Sequence, residues 1–396
     1  MSVFSEQHVS PRRTALAELM RVFLKLGMIG FGGPAAHVAL MDEEIVRRRR
    51  WLPREEFLDL LGAASLIPGP NSTELAIHIG RRRAGWPGLL VAGSCFILPA
   101  ALIVIGVAWV YVRFGSLPQV SGILYGVKPV IIVIVLQALW HLGRAALKNR
   151  WLAAVCIAGV ALSLLGVHEL IILFGGGLLL GAGRRLAACA GKGPFRFRSL
   201  APAMPLHALI RAFAVPTAAA APFGLWPLFL FFLKVGSVLF GSGYVLLAFL
   251  RADLVERWHW LTESQLLDAL AVGQVTPGPV FTTATFIGFV LGGIKGSVAA
   301  TVGIFMPAFL FVALSAPLVS RIRQAKTAGA FLDGVNAASV ALMAVVTLQL
   351  GRTALVDALT IGIAAASVAA LACLRVNSAW LILGGAIAGF LLYGRL

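Results

Sequence analysis

Long apolar segments without a charge recur along the chain, and short basic loops separate them. The longest runs from Trp86 to Val112, and the others occupy 129–140, 151–167, 170–183, 297–320, 335–351 and 358–374. A helix needs about 20 apolar residues to cross the hydrocarbon core of a bilayer. The pattern therefore predicts an all-α polytopic membrane protein, in which some helices are full spans and others are short or broken.

Composition supports this prediction, because 59% of the residues are hydrophobic and only 12% are charged, about half the usual charged share of a soluble domain. The net charge of +17 comes from clusters between apolar segments, at 47–50, 81–83, 144–150 and 184–198. Such clusters are typical of the cytoplasmic loops of membrane proteins. We therefore expect the lipid bilayer as a partner, multi-pass insertion in a bacterial inner (plasma) membrane, and no nucleic acid.

No sequence motif indicates catalysis or a resident metal. The four cysteines form no CxxC pair, so neither a disulfide framework nor a zinc site is predicted. The chain also lacks the zinc-protease motif HExxH and the nucleophile-elbow motif GxSxG. We expect a protein that is not an enzyme and that carries no cofactor.

The chain contains an internal repeat. The segment FLKLGMIGFG at 23–32 returns as FLKVGSVLFG at 232–241, which is 209 residues later. The same offset pairs Pro68-Gly69-Pro70 with Pro277-Gly278-Pro279. The sequence predicts two homologous repeats, at 14–183 and 223–395, joined by a basic linker rich in Pro and Ala at 184–222. Such repeats are typical of secondary transporters and are often inverted.

The distribution of basic loops favours inversion. Three loops of the first repeat carry eleven Lys and Arg residues, and their counterparts carry four. The remaining loop shows the reverse, with Arg113 alone in the first repeat against Arg321, Arg323 and Lys326 in the second. The number of spans and the topology of 151–240 stay open. The oligomeric state is also open, with a homodimer as one option.

Glycine and proline interrupt the apolar pattern twice in each repeat. The first interruption lies at 30–34 and is matched at 240–243, and the second lies at 68–70 and is matched at 277–279. Proline removes a backbone donor and clashes with the preceding turn. Non-helical backbone at membrane depth occurs only where protein or a watery cavity surrounds it. We therefore expect broken or re-entrant helices that face an interior cavity, although simple packing kinks are the alternative.

The residues around these breaks are suited to an anion. A helix that starts after a break presents free N–H groups and about half a positive charge, and a lysine within an apolar stretch is a functional candidate. The candidate substrate-binding residues are Lys25, Gly32, Gly33, Pro34, Pro68, Gly69, Pro70, Asn71, Ser72, Thr73, Glu74, Lys234, Gly241, Ser242, Gly243, Thr276, Pro277, Gly278, Pro279, Thr282 and Thr283.

Several of these residues allow a second interpretation. The two lysines could extend to the membrane interface, and the threonine hydroxyls could bond to their own helix. Glu74 could carry a coupling proton or compensate the charge of Arg81–Arg83. His37 has no counterpart in the second repeat and is interpreted as a packing residue.

With these residues in view, the chain resembles the chromate ion transporter (CHR) family in its two-domain form. The resemblance rests on FGGPAAHVALMDEEIVRRRRWL (31–52), LIPGPNSTELAIHIG (66–80), FGSGYVLLAFLRADLVERWHWL (240–261) and AVGQVTPGPVFTTATFIG (271–288). It implies paired antiparallel domains and the export of a small oxyanion, chromate. A carrier or channel for sulfate or another small anion is the alternative function.

Overall fold

The computed structural model describes residues 12–31, 33–115, 117–190, 222–240, 243–315, 326–374, 376 and 378–393. Within these ranges the chain is helical and contains no strand. The α-helices are α1 Arg12–Ile29, α2 Gly33–Met41, α3 Arg54–Ala64, α4 Asn71–Phe114, α5 Pro118–Ala146, α6 Arg150–Leu164, α7 Glu169–Ala190, α8 Leu225–Val238, α9 Leu246–Phe249, α10 Glu263–Val275, α11 Thr283–Ser315, α12 Lys326–Ala354, α13 Ala358–Leu374 and α14 Ser378–Tyr393. Short π-helices follow α2 and α9, at Asp42–Arg48 and Leu250–Arg257.

Four helical segments of the described chain are long and apolar enough to cross a membrane. They are Asn71–Phe114, Pro118–Ala146, Val280–Ser315 and Gly329–Ala354. They belong to α4 and α5 in the first half and to their counterparts α11 and α12 in the second. The prediction of an all-α membrane protein with two related halves is confirmed.

Helices α4 and α11 each fold back on themselves. The reversal occurs at Gly85 in α4 and at Gly293 in α11, with φ of 66° and 60°. In α4, a Cβ added to Gly80 would lie 2.2 Å from the carbonyl oxygen of Gly88. In a straight helix these residues would be about 12 Å apart. The first arm of α4, 71–83, is about 20 Å long, which is too short to cross the membrane by itself, as expected of a broken or re-entrant helix.

The last helices of each half pack against the other half. Helix α5 packs on α13 and α14, and α12 packs on α6 and α7. Both contacts rely on glycine. A Cβ added to Gly126 would lie 2.1 Å from the oxygen of Gly385, and one added to Gly334 would lie 2.3 Å from the oxygen of Gly176. Small residues let helix backbones approach closely. The two halves are therefore interlocked by reciprocal contacts, as around a two-fold axis.

Equivalent helices run in opposite directions where the halves meet. A Cβ added to Gly93, early in the second arm of α4, would lie 2.5 Å from the Phe309 ring, late in α11. Arg81 also donates a hydrogen bond to the carbonyl of Val312, at 3.2 Å. The turn of the α4 hairpin, where its second arm begins, thus lies against the end of α11. This is the geometry expected of inverted repeats.

Candidate functional site

The helices are interrupted at the four places that the sequence predicts. Helix α1 ends at Ile29, and α8 ends at Val238. Helix α3 ends at Ala64 and α4 begins only at Asn71, while α10 ends at Val275 ahead of a short 3₁₀ turn. Three predicted site residues lie outside the described residues: Gly32, Gly241 and Ser242.

The breaks of the two halves are joined to each other by reciprocal hydrogen bonds. The N–H of Gly69 donates to the carbonyl of Leu239 at 2.7 Å, and the N–H of Gly278 donates to the carbonyl of Gly30 at 2.8 Å. These four residues form two pairs related by the offset of 209 residues. The second break of each half therefore binds the first break of the other half. We call this region the junction.

His37 links the two breaks of the first half. Its Nε2 lies 2.9 Å from the Gly30 carbonyl and its Nδ1 lies 3.3 Å from the Ser72 hydroxyl. Because a carbonyl only accepts, Nε2 donates, and in the neutral ring Nδ1 accepts from Ser72. The interpretation of His37 as a packing residue is incomplete, since its ring is a polar bridge. Its counterpart in the second half is Leu246, so this bridge belongs to the first half.

Two glycines of the junction have no space for a side chain. Gly69 and Gly278 have φ of 139° and 93°, values that L side chains rarely adopt. A Cβ added to Gly69 would lie 2.3 Å from Oε1 of Glu74, and one added to Gly278 would lie 2.5 Å from Cβ of Ala100. Only glycine fits at these two positions.

The predicted residues Asn71, Ser72 and Thr73 form the first turn of α4. Pro70 is the N-cap of this helix, and no side chain caps it. Ser72 and Thr73 are buried, and within the described residues Oδ1 of Asn71 and Oγ1 of Thr73 have no hydrogen-bond partner. This helix end therefore has unsatisfied polar groups next to the junction. Of the other predicted residues of this half, Gly33 and Pro34 begin α2, and Pro68 lies in the segment before α4.

The corresponding threonines of the second half bond to their own backbone. The hydroxyls of Thr276, Thr282 and Thr283 each donate to a carbonyl three or four residues earlier, all at 2.8 Å. The alternative interpretation, bonding of these hydroxyls to their own helix, is what the structure shows. Each of these hydroxyl groups therefore already donates its proton in a hydrogen bond. The other predicted residues on this side of the junction are Gly243, Pro277 and Pro279.

Lys25 and Lys234 each pair with an acid on the following π-helix. Nζ of Lys25 lies 3.5 Å from Glu44, and Nζ of Lys234 lies 2.7 Å from Asp253. One arginine joins each pair, namely Arg48 with Glu44 at 3.3 Å and Arg257 with Asp253. We call these the two ion clusters. Their members are also 209 residues apart, so the internal repeat matches both clusters in the sequence.

Both ion clusters contain more cations than acids. Glu44 also binds Arg49, at 3.1 Å. Burial alone would raise the pKa of Glu44, but the hydrogen bond from Arg49 and the charges of Lys25 and Arg48 more than offset it, so this pKa is lowered. In the first cluster the excess of positive charge favours the approach of an anion, whereas Glu169 adds a second carboxyl near Lys234 and Arg257 in the second cluster.

A polar cavity of about 390 Å³ adjoins the second ion cluster. Arg251 and Arg257 line it together with Glu169, Glu256 and Gln349. Arg251 is held by Gln349 at 2.7 Å and by carboxylates on both sides. Among the described residues, no group of three or more His, Cys, Asp or Glu side chains could hold a metal ion.

Comparisons with known proteins identify the class and then the family. The model of the family described as "Chromate transporter" matches residues 17–182 and again residues 226–390. The "Chromate transport protein" of Pseudomonas aeruginosa is 33% identical over 421 residues, covering 99% of both chains. That of Cupriavidus metallidurans is 31% identical over 394 residues, covering 98% of this chain and 95% of the relative.

A "Probable chromate transport protein" of Synechococcus elongatus is 33% identical over 358 residues, with 88% of each chain covered. No solved structure matches the chain. The protein is thus a multi-pass membrane transporter and, as predicted, not an enzyme. It belongs to the chromate transporter family, in the form with two family domains in one chain.

Proposed function

We propose that the protein exports a small oxyanion, chromate, across a bacterial inner membrane and binds it at the junction. The names of the full-length relatives support chromate as the substrate. Sulfate has the same charge and tetrahedral shape, so a carrier or channel for sulfate or another small anion is the alternative. We further propose that the functional repeats are 14–183 and 223–395, with 184–222 as the linker.

The observation that carries this proposal is the pair of reciprocal hydrogen bonds that joins the breaks. Transporters with repeats bind substrates where discontinuous helices of the two repeats meet. Here the uncapped first turn of α4 adjoins that meeting point. Its orphan N–H groups and positive dipole end favour an oxyanion. Opening of the junction would expose the sites of both halves alternately.

The ion clusters explain how an anion could reach the junction. Lys25 can release Glu44 to bind an incoming anion, because Arg48 and Arg49 still neutralise the carboxylate. In the same way, Arg257 still holds Asp253 when Lys234 moves. Each carboxylate would thus remain paired with its lysine until an oxyanion takes the place of the carboxylate.

The membrane potential is sufficient to drive export. Each charge is worth about 2.3 kcal/mol per 100 mV, so a divalent anion gains about 4.6 kcal/mol on leaving a cell that is negative inside. At about 1.4 kcal/mol per tenfold, this sustains an outward gradient of about a thousandfold. Uptake of the same anion would need an external energy source.

Flux in everted membrane vesicles tests the proposal. Everted vesicles that contain the protein should accumulate radiolabelled chromate when the interior is made positive, and the flux should fall when the potential is clamped at zero. Lys25→Ala and Lys234→Ala should each reduce it. Accumulation of sulfate but not chromate would favour the alternative substrate. The absence of any anion flux in a folded preparation would overturn the proposal.

A further inference from the structure

Glu74 is a buried carboxyl group placed directly on the junction. It is fully buried, and neither of its oxygens has a hydrogen-bond partner among the described residues. Its Oε1 occupies the space that a side chain at Gly69 would need, at 2.3 Å from the added Cβ. The N–H of the same Gly69 holds the carbonyl of Leu239 in the other half.

The arginines that follow on the same helix are engaged elsewhere. Arg81 donates to the carbonyls of Val312 and Ala313. Arg82 pairs with Glu56, and Arg83 pairs with Glu18 at 3.3 Å. The structure therefore does not support the interpretation that Glu74 compensates the positive charge of Arg81–Arg83.

The other ionisable groups on elements packed against α4 form no ion pair with Glu74. Those described are Glu18, Arg21 and Lys25 on α1, His37 on α2, Arg54, Glu55, Glu56 and Asp59 on α3, Glu263 and Asp268 on α10, and Lys295 on α11. Lys25 is held by Glu44 instead.

Glu74 belongs to a polar stripe on the first arm of α4. Asn71, Glu74 and His78 are spaced three and four residues apart, so they share one face of the helix. Each has a buried polar atom without a described partner: Oδ1 of Asn71, both oxygens of Glu74 and Nε2 of His78.

The second half lacks this stripe. The counterparts of Asn71, Glu74 and His78 at the offset of 209 are Val280, Thr283 and Ile287, and the Thr283 hydroxyl is satisfied by the Val280 carbonyl. If the stripe only completed the packing of a broken helix, both halves would need it. Its restriction to the first half indicates a distinct role.

We propose that Glu74 is a proton-binding site that controls anion binding at the junction, with His78 one turn further along as the group that exchanges the proton. An ionised carboxyl without a partner is strongly disfavoured in a buried site, so the closed junction holds Glu74 in its neutral form. An ionised Glu74 would repel a divalent anion at the adjacent helix end. The anion therefore binds only while Glu74 carries its proton. This inference rests on the proposed function.

Sulfate binding to the purified full chain tests the linkage. Equilibrium dialysis with radiolabelled sulfate should show a dissociation constant that is constant at low pH and then rises about tenfold per pH unit, because one proton is linked to one anion. In Glu74→Gln the dissociation constant should not depend on pH. Glu55→Gln, on the exposed surface of α3, removes the same charge and should retain the pH dependence of the wild type.

A wild-type dissociation constant independent of pH would overturn the proposal, as would an unchanged pH dependence in Glu74→Gln. A second measurement needs no variant. Carbodiimides react with protonated carboxyl groups in apolar surroundings, so dicyclohexylcarbodiimide should modify Glu74 in the wild-type protein, and less so as the pH rises. Peptide mass spectrometry reads the modified position.

Absence of modification at Glu74 across the pH range would contradict the proposal even if Glu74→Gln failed to fold. The two experiments also separate the proposals. Modification of Glu74 without any binding of sulfate or chromate would leave the proton site standing and remove these anions as ligands. Binding of either anion that is independent of pH would leave these anions as ligands and remove the proton site.

Discussion

At the scale of single residues, the junction depends on positions where a methyl group is too large. Gly69 and Gly278 both have positive φ and both donate across the halves. Alanine at such a φ costs about 1–3 kcal/mol. A Cβ at Gly278 would also clash with Cβ of Ala100, and one at Gly69 would displace the Glu74 side chain. The Pro-Gly-Pro motif is thus a way of placing backbone against backbone at a break.

We predict that Gly69→Ala and Gly278→Ala each lower the midpoint of thermal unfolding in detergent and abolish most of the anion flux. Gly62→Ala is the matched control, because a Cβ added at Gly62 meets no atom within 4 Å and alanine favours the helix by about 1 kcal/mol. Its unfolding midpoint should be unchanged or higher. If Gly69→Ala behaves like Gly62→Ala, the junction is not closed as described.

Both acids of the ion clusters are buried, but their cations differ in exposure, which predicts unequal effects. Asp253 is 1% exposed, and Lys234 is one-third exposed. Removing one partner from a fully buried pair costs about 3–5 kcal/mol. Because solvent screens Lys234, we expect Asp253→Asn to destabilise the protein by about 1–3 kcal/mol. Glu44→Gln should cost less than about 1 kcal/mol, because Lys25 and Arg48 are 45% and 63% exposed and solvent screens them strongly.

The contribution of Glu44 should also depend on pH. Its pKa is lowered in the folded protein from the ordinary value of 4.5, so the ionised form is the one that stabilises the fold. That contribution is complete above the ordinary value and is lost as the pH falls through the lowered pKa. Unfolding midpoints of the wild type and Glu44→Gln should therefore converge in acid. A difference that persists there would contradict this account.

Sequence reasoning identifies the residues of the breaks but not their partners. Proline and glycine in an apolar run report a local property, the interruption of a helix. The contacts of Leu239 with Gly69 and of His37 with Ser72 join segments that are distant along the chain, and no local pattern encodes them. The acids Glu44 and Asp253 could have been found, since the repeat offset matches them in charge and position.

At the scale of helices and their contacts, the apolar pattern predicts the segments well and their ends less well. The basic cluster Arg81–Arg83 suggests a loop between two spans. In the structure it is the last turn of the first arm of α4, and the reversal follows at Ala84 and Gly85. The reversal is tight because Gly80 and Gly88 let the arms touch, a contact that composition does not reveal.

The contact between α5 and α14 offers a sharp test of helix packing. A Cβ added to Gly385 would lie 2.5 Å from the Val130 side chain and 2.7 Å from the Gly126 oxygen, whereas one added to the neighbouring Gly384 meets nothing within 4 Å. We expect Gly385→Leu to destabilise the protein by about 1–3 kcal/mol through overpacking. Gly384→Leu should leave the midpoint of thermal unfolding nearly unchanged. Equal midpoints for the two variants would show that the helices are not in close contact.

At the scale of the whole molecule, the two halves are interlocked. The ends of each half pack on the other, and the junction bonds run in both directions. Because of this reciprocity, the junction consists of two related contacts that can open separately, as alternating access requires. The proton site at Glu74 and the His37 bridge occur in the first half alone, so the two openings are chemically different.

Opposite orientation of the halves in the membrane is the last prediction. Arg50 and His259 are exposed, are related by the repeat offset, and share a positive φ of 51° and 54°. Because basic loops of the first half face the cytoplasm under the positive-inside rule, Arg50 should be cytoplasmic and His259 should be on the outer side. Single cysteines at these positions, in a chain whose four native cysteines are replaced, can be probed with an impermeant maleimide. Cysteine at 259 should react in intact cells and cysteine at 50 only in everted vesicles. Reaction of both from the same side would establish that the two repeats have the same orientation in the membrane. The antiparallel helices α4 and α11 would then lie along the membrane plane instead of crossing it.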